Sequence, residues 1–156
     1  MILLEHDTTI EEAIRFSRFD MENVFSTVSP HAFELEDYRW PTAEHYYQAH
    51  KYEGLNHASK ILAATSGRQA HELGNVWLKR KVSGWKERRR VWMTRALYRK
   101  MKEYNEVQDA LLETGNNLII ETSLYDHYWG VGRDQRGENM LGKVWMDIRS
   151  KLQNAP

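Results

Sequence analysis

The stretch from Trp40 to Lys51, WPTAEHYYQAHK, constrains this chain more than any other segment. Pro41 suits the first turn of a helix, where its missing N–H costs no hydrogen bond, and no breaker follows before Gly54. The pattern predicts a helix of about three turns. With roughly 100° per residue, Glu44, Gln48 and Lys51 fall at i, i+4 and i+7, so a carboxylate, an amide and an amine share one stripe. Trp40, Tyr46, Tyr47, His45 and His50 surround that stripe, a composition suited to a pocket wall. The same spacing would serve a solvated helix face, where such pairs contribute roughly 0.2–0.5 kcal/mol each.

At 156 residues the chain has the length of one domain that can bury a core without disulfides or metal. It has no cysteine, which excludes a disulfide scaffold, a thiolate nucleophile and a cysteine zinc site. No apolar run approaches a membrane span, and the start, MILLEHDTTI, has no basic leader, so a soluble cytoplasmic protein is expected. The formal net charge of zero hides an asymmetry. From Lys79 to Lys102 there are eleven Lys or Arg and a single acid, Glu87, which points to an anionic partner. Six Trp and eight Tyr supply either core or stacking surfaces for flat ligands.

In order along the chain, Thr8 or Thr9 is expected to cap a short helix through Glu11 to Ile14, before an extended Arg15 to Phe19. A β-hairpin is expected within Val24 to Arg39, turning at Glu36 and Asp37. Helices are expected over His57 to Ala64, with Ile61 and Leu62 inward, and over Arg68 to Leu73, closed by Gly74. Trp77 stands beside the cluster Lys79, Arg80 and Lys81. The longest helix is predicted from Trp85 to Tyr104, with Trp85, Trp92, Ala96, Leu97, Met101 and Tyr104 as its apolar stripe. Its charged residues, Arg95 and Lys100 among them, would cover the other faces. Asn105 is a candidate cap for a helix over Glu106 to Thr114, Leu118 to Thr122 reads as a short strand, and Asn139 as the cap of a last helix. Ser123 to Glu138 is a long loop, too aromatic for disorder and therefore expected to be functional. The expected class is mainly α, one domain with a few short β-strands.

With these pieces in order the chain resembles the NADAR family, the YbiA-like N-glycosidases. The resemblance is carried by Phe25-Ser26, by WPTAEHYYQA with Lys51, by Ala70 to Gly74, by Met93 to Lys100 and by LLETG at Leu111 to Gly115. It continues through Ile120-Glu121, YDHYWGVG at Tyr125 to Gly132, and NMLGKVWMDIR at Asn139 to Arg149. It runs from about Ile14 to Leu152. One departure stands out: where the family usually reads Phe-Ser-Asn-Phe, this chain has Phe25-Ser26-Thr27-Val28, which bears on substrate identity more than on reaction type. The resemblance implies a mainly α fold and hydrolysis of an N-glycosidic bond. Similar proteins act on ribosylamino-pyrimidine phosphates of riboflavin synthesis, or remove ADP-ribose from the exocyclic amine of modified guanine.

A ribose joined to an exocyclic nitrogen can be cleaved by protonating the leaving nitrogen, or by opening the ring to an imine that a neutral lysine attacks. On this basis Glu44 is expected as general acid/base, and Lys51 as nucleophile or oxyanion partner, its amine neutralised by burial or by a cation such as Arg95. Asp126 would orient a sugar hydroxyl or water, or merely cap its loop. Trp40, Tyr47, Gln48, Trp85 and Trp129 would line the substrate pocket. Gly130 and Gly132 would admit backbone N–H groups to phosphate or serve a tight turn. Asn139 would hold phosphate at a helix start or only cap it, and Glu121 would be structural. The seven histidines show no zinc spacing, and neither metal nor cofactor is needed. Expected partners are a small nucleotide-like substrate or ADP-ribosylated guanine in nucleic acid. The competing readings are a non-catalytic ADP-ribose or NAD binding module and a nucleic-acid binder using the basic run.

Overall fold

Thr42, rather than Pro41, starts the central helix. In the computed structural model, which describes residues 12–52, 54–76 and 79–156, the Thr42 side chain accepts a hydrogen bond from the His45 N–H and caps a helix over Ala43–Ala49. Pro41 lies one residue outside. The helix has seven residues instead of the expected three turns, and Lys51 sits in the bend beyond His50. A helix this short is not stable alone in water, and tertiary packing supplies what it lacks. All seven residues are buried, and three neighbouring helices pack against it. Burying His45 is possible because both ring nitrogens are engaged, Nδ1 with Thr42 Oγ1 at 2.8 Å and Nε2 with the Ala64 carbonyl at 2.9 Å.

The full order is β1 (Ile14–Phe16), β2 (Phe33–Leu35), β3 (Tyr38–Trp40), α1 (Ala43–Ala49), α2 (Leu55–Leu62), α3 (Gly67–Leu73), α4 (Trp85–Glu103), α5 (Asn105–Glu113), β4 (Ile119–Glu121) and α6 (Met140–Gln153). The mainly α class with small sheets is as the sequence implies. The hairpin is β2–β3, turning at Glu36 and Asp37 with positive φ at both, the geometry that matches strand twist. The other sheet is a parallel pair, β1 with β4, which sets Phe16 beside Glu121. The expected cap at Thr8 or Thr9 and the residue Trp77 lie outside the described residues, and the chain is already a strand at Ile14 rather than the end of a helix.

α4 and α6 complete the core. Trp145 on α6 is fully buried, packs edge-on to Phe25 and donates from Nε1 to the Phe25 carbonyl at 2.9 Å. Gly142 lets α6 approach β4, since a Cβ there would lie 2.0 Å from the Ile119 carbonyl oxygen. Three expectations are corrected. Lys100 is not on a charged face of α4: it is 1% exposed, its Nζ donating to the Ser26 carbonyl at 2.9 Å and to Ser29 Oγ at 2.6 Å. Asn105 is the first residue of α5, whose start has no side-chain cap. Asn139 stands before α6 in the left-handed region (φ 51°), and its side chain turns away from the helix to bond β4.

Candidate active site

Glu44 on α1 is the hub of a buried polar cluster. Arg18, just past β1, is 2% exposed and donates from Nη2 to both Glu44 oxygens at 2.9 and 2.8 Å. Glu44 Oε1 also meets Gln48 Nε2 at 2.7 Å and His71 Nδ1 at 2.9 Å, and Oε2 accepts from the Thr27 hydroxyl at 2.5 Å. Burial opposes ionisation of Glu44, but the Arg18 guanidinium, with His71 and Gln48 behind it, overcomes that and holds the carboxyl far below the usual range. Glu44 is therefore a carboxylate with both oxygens occupied. This corrects the acid half of its expected role, because a group so held has no proton to give at neutral pH.

Above this cluster opens a cavity of about 180 Å³, lined among others by Arg18, Tyr47, Gln48, Lys51, His71, Lys81, Trp85, Arg89, Asp126 and Trp129. Lys51 donates from Nζ to the Gly74 carbonyl at 2.8 Å and to Asn75 Oδ1 at 3.1 Å. Burial first, then the charge of Lys81, lowers its pKa to about 8; Arg18 and Arg89 add to this while Glu44 works against it. The cations that act on Lys51 are thus Lys81, Arg18 and Arg89, not Arg95. Asp126 divides its oxygens. Oδ1 accepts from the backbone N–H groups of Tyr128 (2.9 Å) and Trp129 (2.8 Å), fixing the loop, while Oδ2 lies 3.4 Å from Arg18 Nη1.

The aromatic wall is a packed unit: Tyr47 lies 5.2 Å from Trp85 and 5.4 Å from Trp129, centroid to centroid, and both indoles are nearly buried. Tyr128 is less buried, with the Arg89 guanidinium 3.2 Å from its ring centroid. Gln48 presses on α3, where any Cβ at Gly74 would lie 2.0 Å from its Oε1.

Five expected site residues do not join this group. Trp40 lines a separate hollow of about 420 Å³ with Tyr52 and Trp92, its Nε1 donating to the Leu35 carbonyl at 2.9 Å. Arg95 pairs with Glu36 at 2.5 Å. Asn139 is consumed by β4, donating to the Ile119 carbonyl and accepting from the Glu121 N–H, both at 2.9 Å. Gly132, at φ 71°, lies against the His127 ring and serves the turn. Gly130 is required for a different close approach, since a Cβ there would lie 2.2 Å from Glu121 Oε2. Glu121, expected to be structural, is buried with its carboxylate accepting from the Arg18 N–H and from Ser123. The sequence reading missed Arg18, His71 and Asn75. Thr27 carried a signal as the departure from the usual asparagine, and its hydroxyl donates to Glu44.

The fold and the cavity together define a small helical domain with a cationic, aromatic-walled cleft. The family described as the NADAR domain matches residues 6–153, and the chain belongs to that family. It is 35% identical to an N-glycosidase of Nostoc punctiforme, covering 83% of this chain and 85% of the relative. It is 32% identical to the chloroplastic riboflavin biosynthesis protein PYRR of Zea mays, covering 88% of this chain but 24% of that longer protein. The NMR structure of the E. coli protein YbiA superposes with a TM-score of 0.81 at 30% identity, covering 90% of this chain and 84% of that one. Among the described residues no helix is long and apolar enough to cross a membrane.

Proposed function

We propose that the protein is an N-glycosidase that hydrolyses the bond between ribose C1 and an exocyclic nitrogen of a base, in a substrate that carries phosphate. The observation that supports this best is Lys51, an amine whose pKa is lowered to about 8, lining the same cavity as the Asp126 carboxylate. The names of its relatives, N-glycosidases and riboflavin biosynthesis proteins, agree with that chemistry. The neutral Lys51 amine attacks C1 of the ring-opened imine, protonated on its nitrogen, forming a C–N bond. The bond from C1 to the base nitrogen then breaks, its electron pair and one proton leaving with the base, and water clears the Lys51 iminium to return sugar and amine. Glu44, kept as a carboxylate whose charge acts on Lys51, offsets the positive charge of the iminium. Asp126 Oδ2 accepts from a sugar hydroxyl, and Lys81, Lys86 and Arg89 on the cavity lining meet phosphate.

The test is to incubate the protein with a ribosylamino-pyrimidine phosphate, with guanosine ADP-ribosylated on its exocyclic amine, free or in a DNA strand, and with an ordinary nucleoside, and to identify products by mass spectrometry. Base release from an exocyclic ribosylamine, with the ordinary nucleoside intact, is the expected result. Binding of these ligands without release would favour the non-catalytic module instead. Preference for the strand over the free nucleoside would bring in the exposed Lys79 and Arg80 next to Lys81.

A further inference from the structure

The cleavage scheme leaves one proton unaccounted for: the Lys51 nitrogen must lose one as it bonds to C1, and the base nitrogen must gain one as it departs. Glu44 cannot carry it, being fixed as a carboxylate with both oxygens taken. His71 on α3 stands between Glu44 and Asn75, the residue whose side chain holds Lys51. Its Nδ1 lies 2.9 Å from Glu44 Oε1, and because a carboxylate only accepts, Nδ1 is the nitrogen that bears the hydrogen. In the neutral ring Nε2 is then the nitrogen that carries the lone pair. It lies 3.4 Å from Asn75 Nδ2, while Asn75 Oδ1 accepts from Lys51 Nζ at 3.1 Å, so carboxylate, imidazole, amide and amine follow one another along the cavity wall. The ring is fixed edge-on to Phe19, with centroids 4.7 Å apart, yet the side chain stays 30% exposed and lines the cavity.

We propose that His71 is a catalytic residue: its Nε2 takes the proton from the Lys51 nitrogen in the adduct at C1 and hands it to the departing base nitrogen. The step balances without another reactant. The C1–N bond to the base breaks with its electron pair going to that nitrogen, the proton from the Lys51 nitrogen completes it, and His71 returns to its starting state. Glu44 behind Nδ1 holds the tautomer and stabilises the transient imidazolium, the division of labour any carboxylate–imidazole pair allows. The charged groups around the ring are Glu44 from α1, with Arg18 behind it, Lys51 after α1, and Arg68 on α3 itself, its guanidinium 5.3 Å from the Phe19 ring centroid. Lys81, Arg89 and Asp126 share the same cavity.

This inference rests on the glycosidase reading, and the test separates the two. His71→Asn keeps an N–H donor towards Glu44 and removes Nε2. With the substrate that the wild type cleaves, kcat should fall about 10²-fold with KM little changed, and the loss should shrink for analogues whose base nitrogen leaves more easily. His71→Ala should recover activity on addition of free imidazole, with a pH profile set by the added base. Circular dichroism melts of both variants establish that the comparison is between folded proteins, and the imidazole rescue holds even if one variant is less stable. A kcat for His71→Asn close to wild type would overturn the inference and leave the glycosidase reading intact. So would an equal loss for every leaving group without rescue, which would make His71 a positioning residue for Asn75 and Lys51. A wild type that cleaves no ribosylamine would overturn both.

Discussion

Lys51 and Lys100 are both buried amines, 7% and 1% exposed, and burial lowers both below the ordinary lysine value, to about 8 and about 7. Their surroundings differ in one respect. Lys51 looks into a cavity with cations, a carboxylate and aromatic rings around it, whereas Lys100 is closed in by the Ser26 carbonyl, Ser29 Oγ and the Trp145 ring. A lowered pKa makes an amine able to attack; only access to a ligand-sized space gives it something to attack. Lys100 ties the Ser26–Ser29 turn to α4 and so supports the backbone that carries Thr27 to Glu44. Lys51 lines the cavity, where substrate can come.

The largest expected effect separates the two lysines directly. Lys51→Arg should reduce kcat by about 10³-fold or more, since a guanidinium keeps the charge but stays protonated and cannot attack. Borohydride added during turnover should trap the sugar-bearing fragment on wild-type Lys51 and nothing on Lys51→Arg, read by intact mass and peptide mapping. Lys100→Met should keep kcat. An adduct on Lys100, or substantial activity in Lys51→Arg, would break the distinction.

That distinction was half legible in the sequence. The hairpin turn at Glu36-Asp37, the short helix closed by Gly74, and the last helix after Asn139 follow from local chemistry, so those elements are where pattern places them. Lys51 was legible because the motif around it is dense in unusual residues. Lys100 was not, because a lysine between Arg99 and Met101 on a helix crowded with charge reads as solvated. What buries it is a turn more than seventy residues earlier (Nζ to Ser29 Oγ spans 71 positions), and such distant pairing leaves no local trace. Arg18 was invisible for the same reason: its partners Glu44 and Asp126 come from α1 and the glycine loop. The three-turn helix expected over Trp40 to Lys51 failed because Trp40 belongs to the hairpin and Lys51 to the bend, neither of which periodicity distinguishes from helix.

The next effect is on stability. Lys100 has a folded-state pKa of about 7, below the unfolded value, so from about pH 7 to about pH 10 the unfolded chain holds the extra proton and stability rises with pH. Lys100→Met cannot show this gain. Its stability relative to wild type should therefore worsen by roughly 1 kcal/mol per pH unit across that window, measured by urea unfolding at several pH values. Below about pH 7 the difference should be flat. A parallel shift at every pH would mean that Lys100 titrates alike in both states and is not closed in. Lys51, by contrast, should make its titration visible in activity: kcat/KM should rise with pH up to about 8 and level off as the amine becomes neutral. Loss of that limb in a variant that still turns over would remove Lys51 as the attacking group.

The smallest effect is expected at Arg95, and it tests how far the reach of the cavity extends along α4. Arg95 and Arg89 lie on the same basic helix, six residues apart, which is about 9 Å of rise. Arg89 lines the cavity and stacks on Tyr128, so Arg89→Ala should raise KM for a phosphate-bearing substrate severalfold, with the effect fading at high salt. Arg95 instead pairs with Glu36 of the hairpin and is 44% exposed, so its ion pair is worth ~0–1 kcal/mol and Arg95→Ala should leave kcat and KM near wild type. For a small substrate the two arginines should therefore behave as differently as the two lysines. If the substrate is instead a modified base within a DNA strand, phosphates beyond the cavity would follow the helix, and Arg95→Ala would lower affinity for the strand while sparing the free nucleoside. Equal KM increases for Arg89→Ala and Arg95→Ala with the free nucleoside would show that access to the cavity is not what divides the functional residues of this chain from the structural ones.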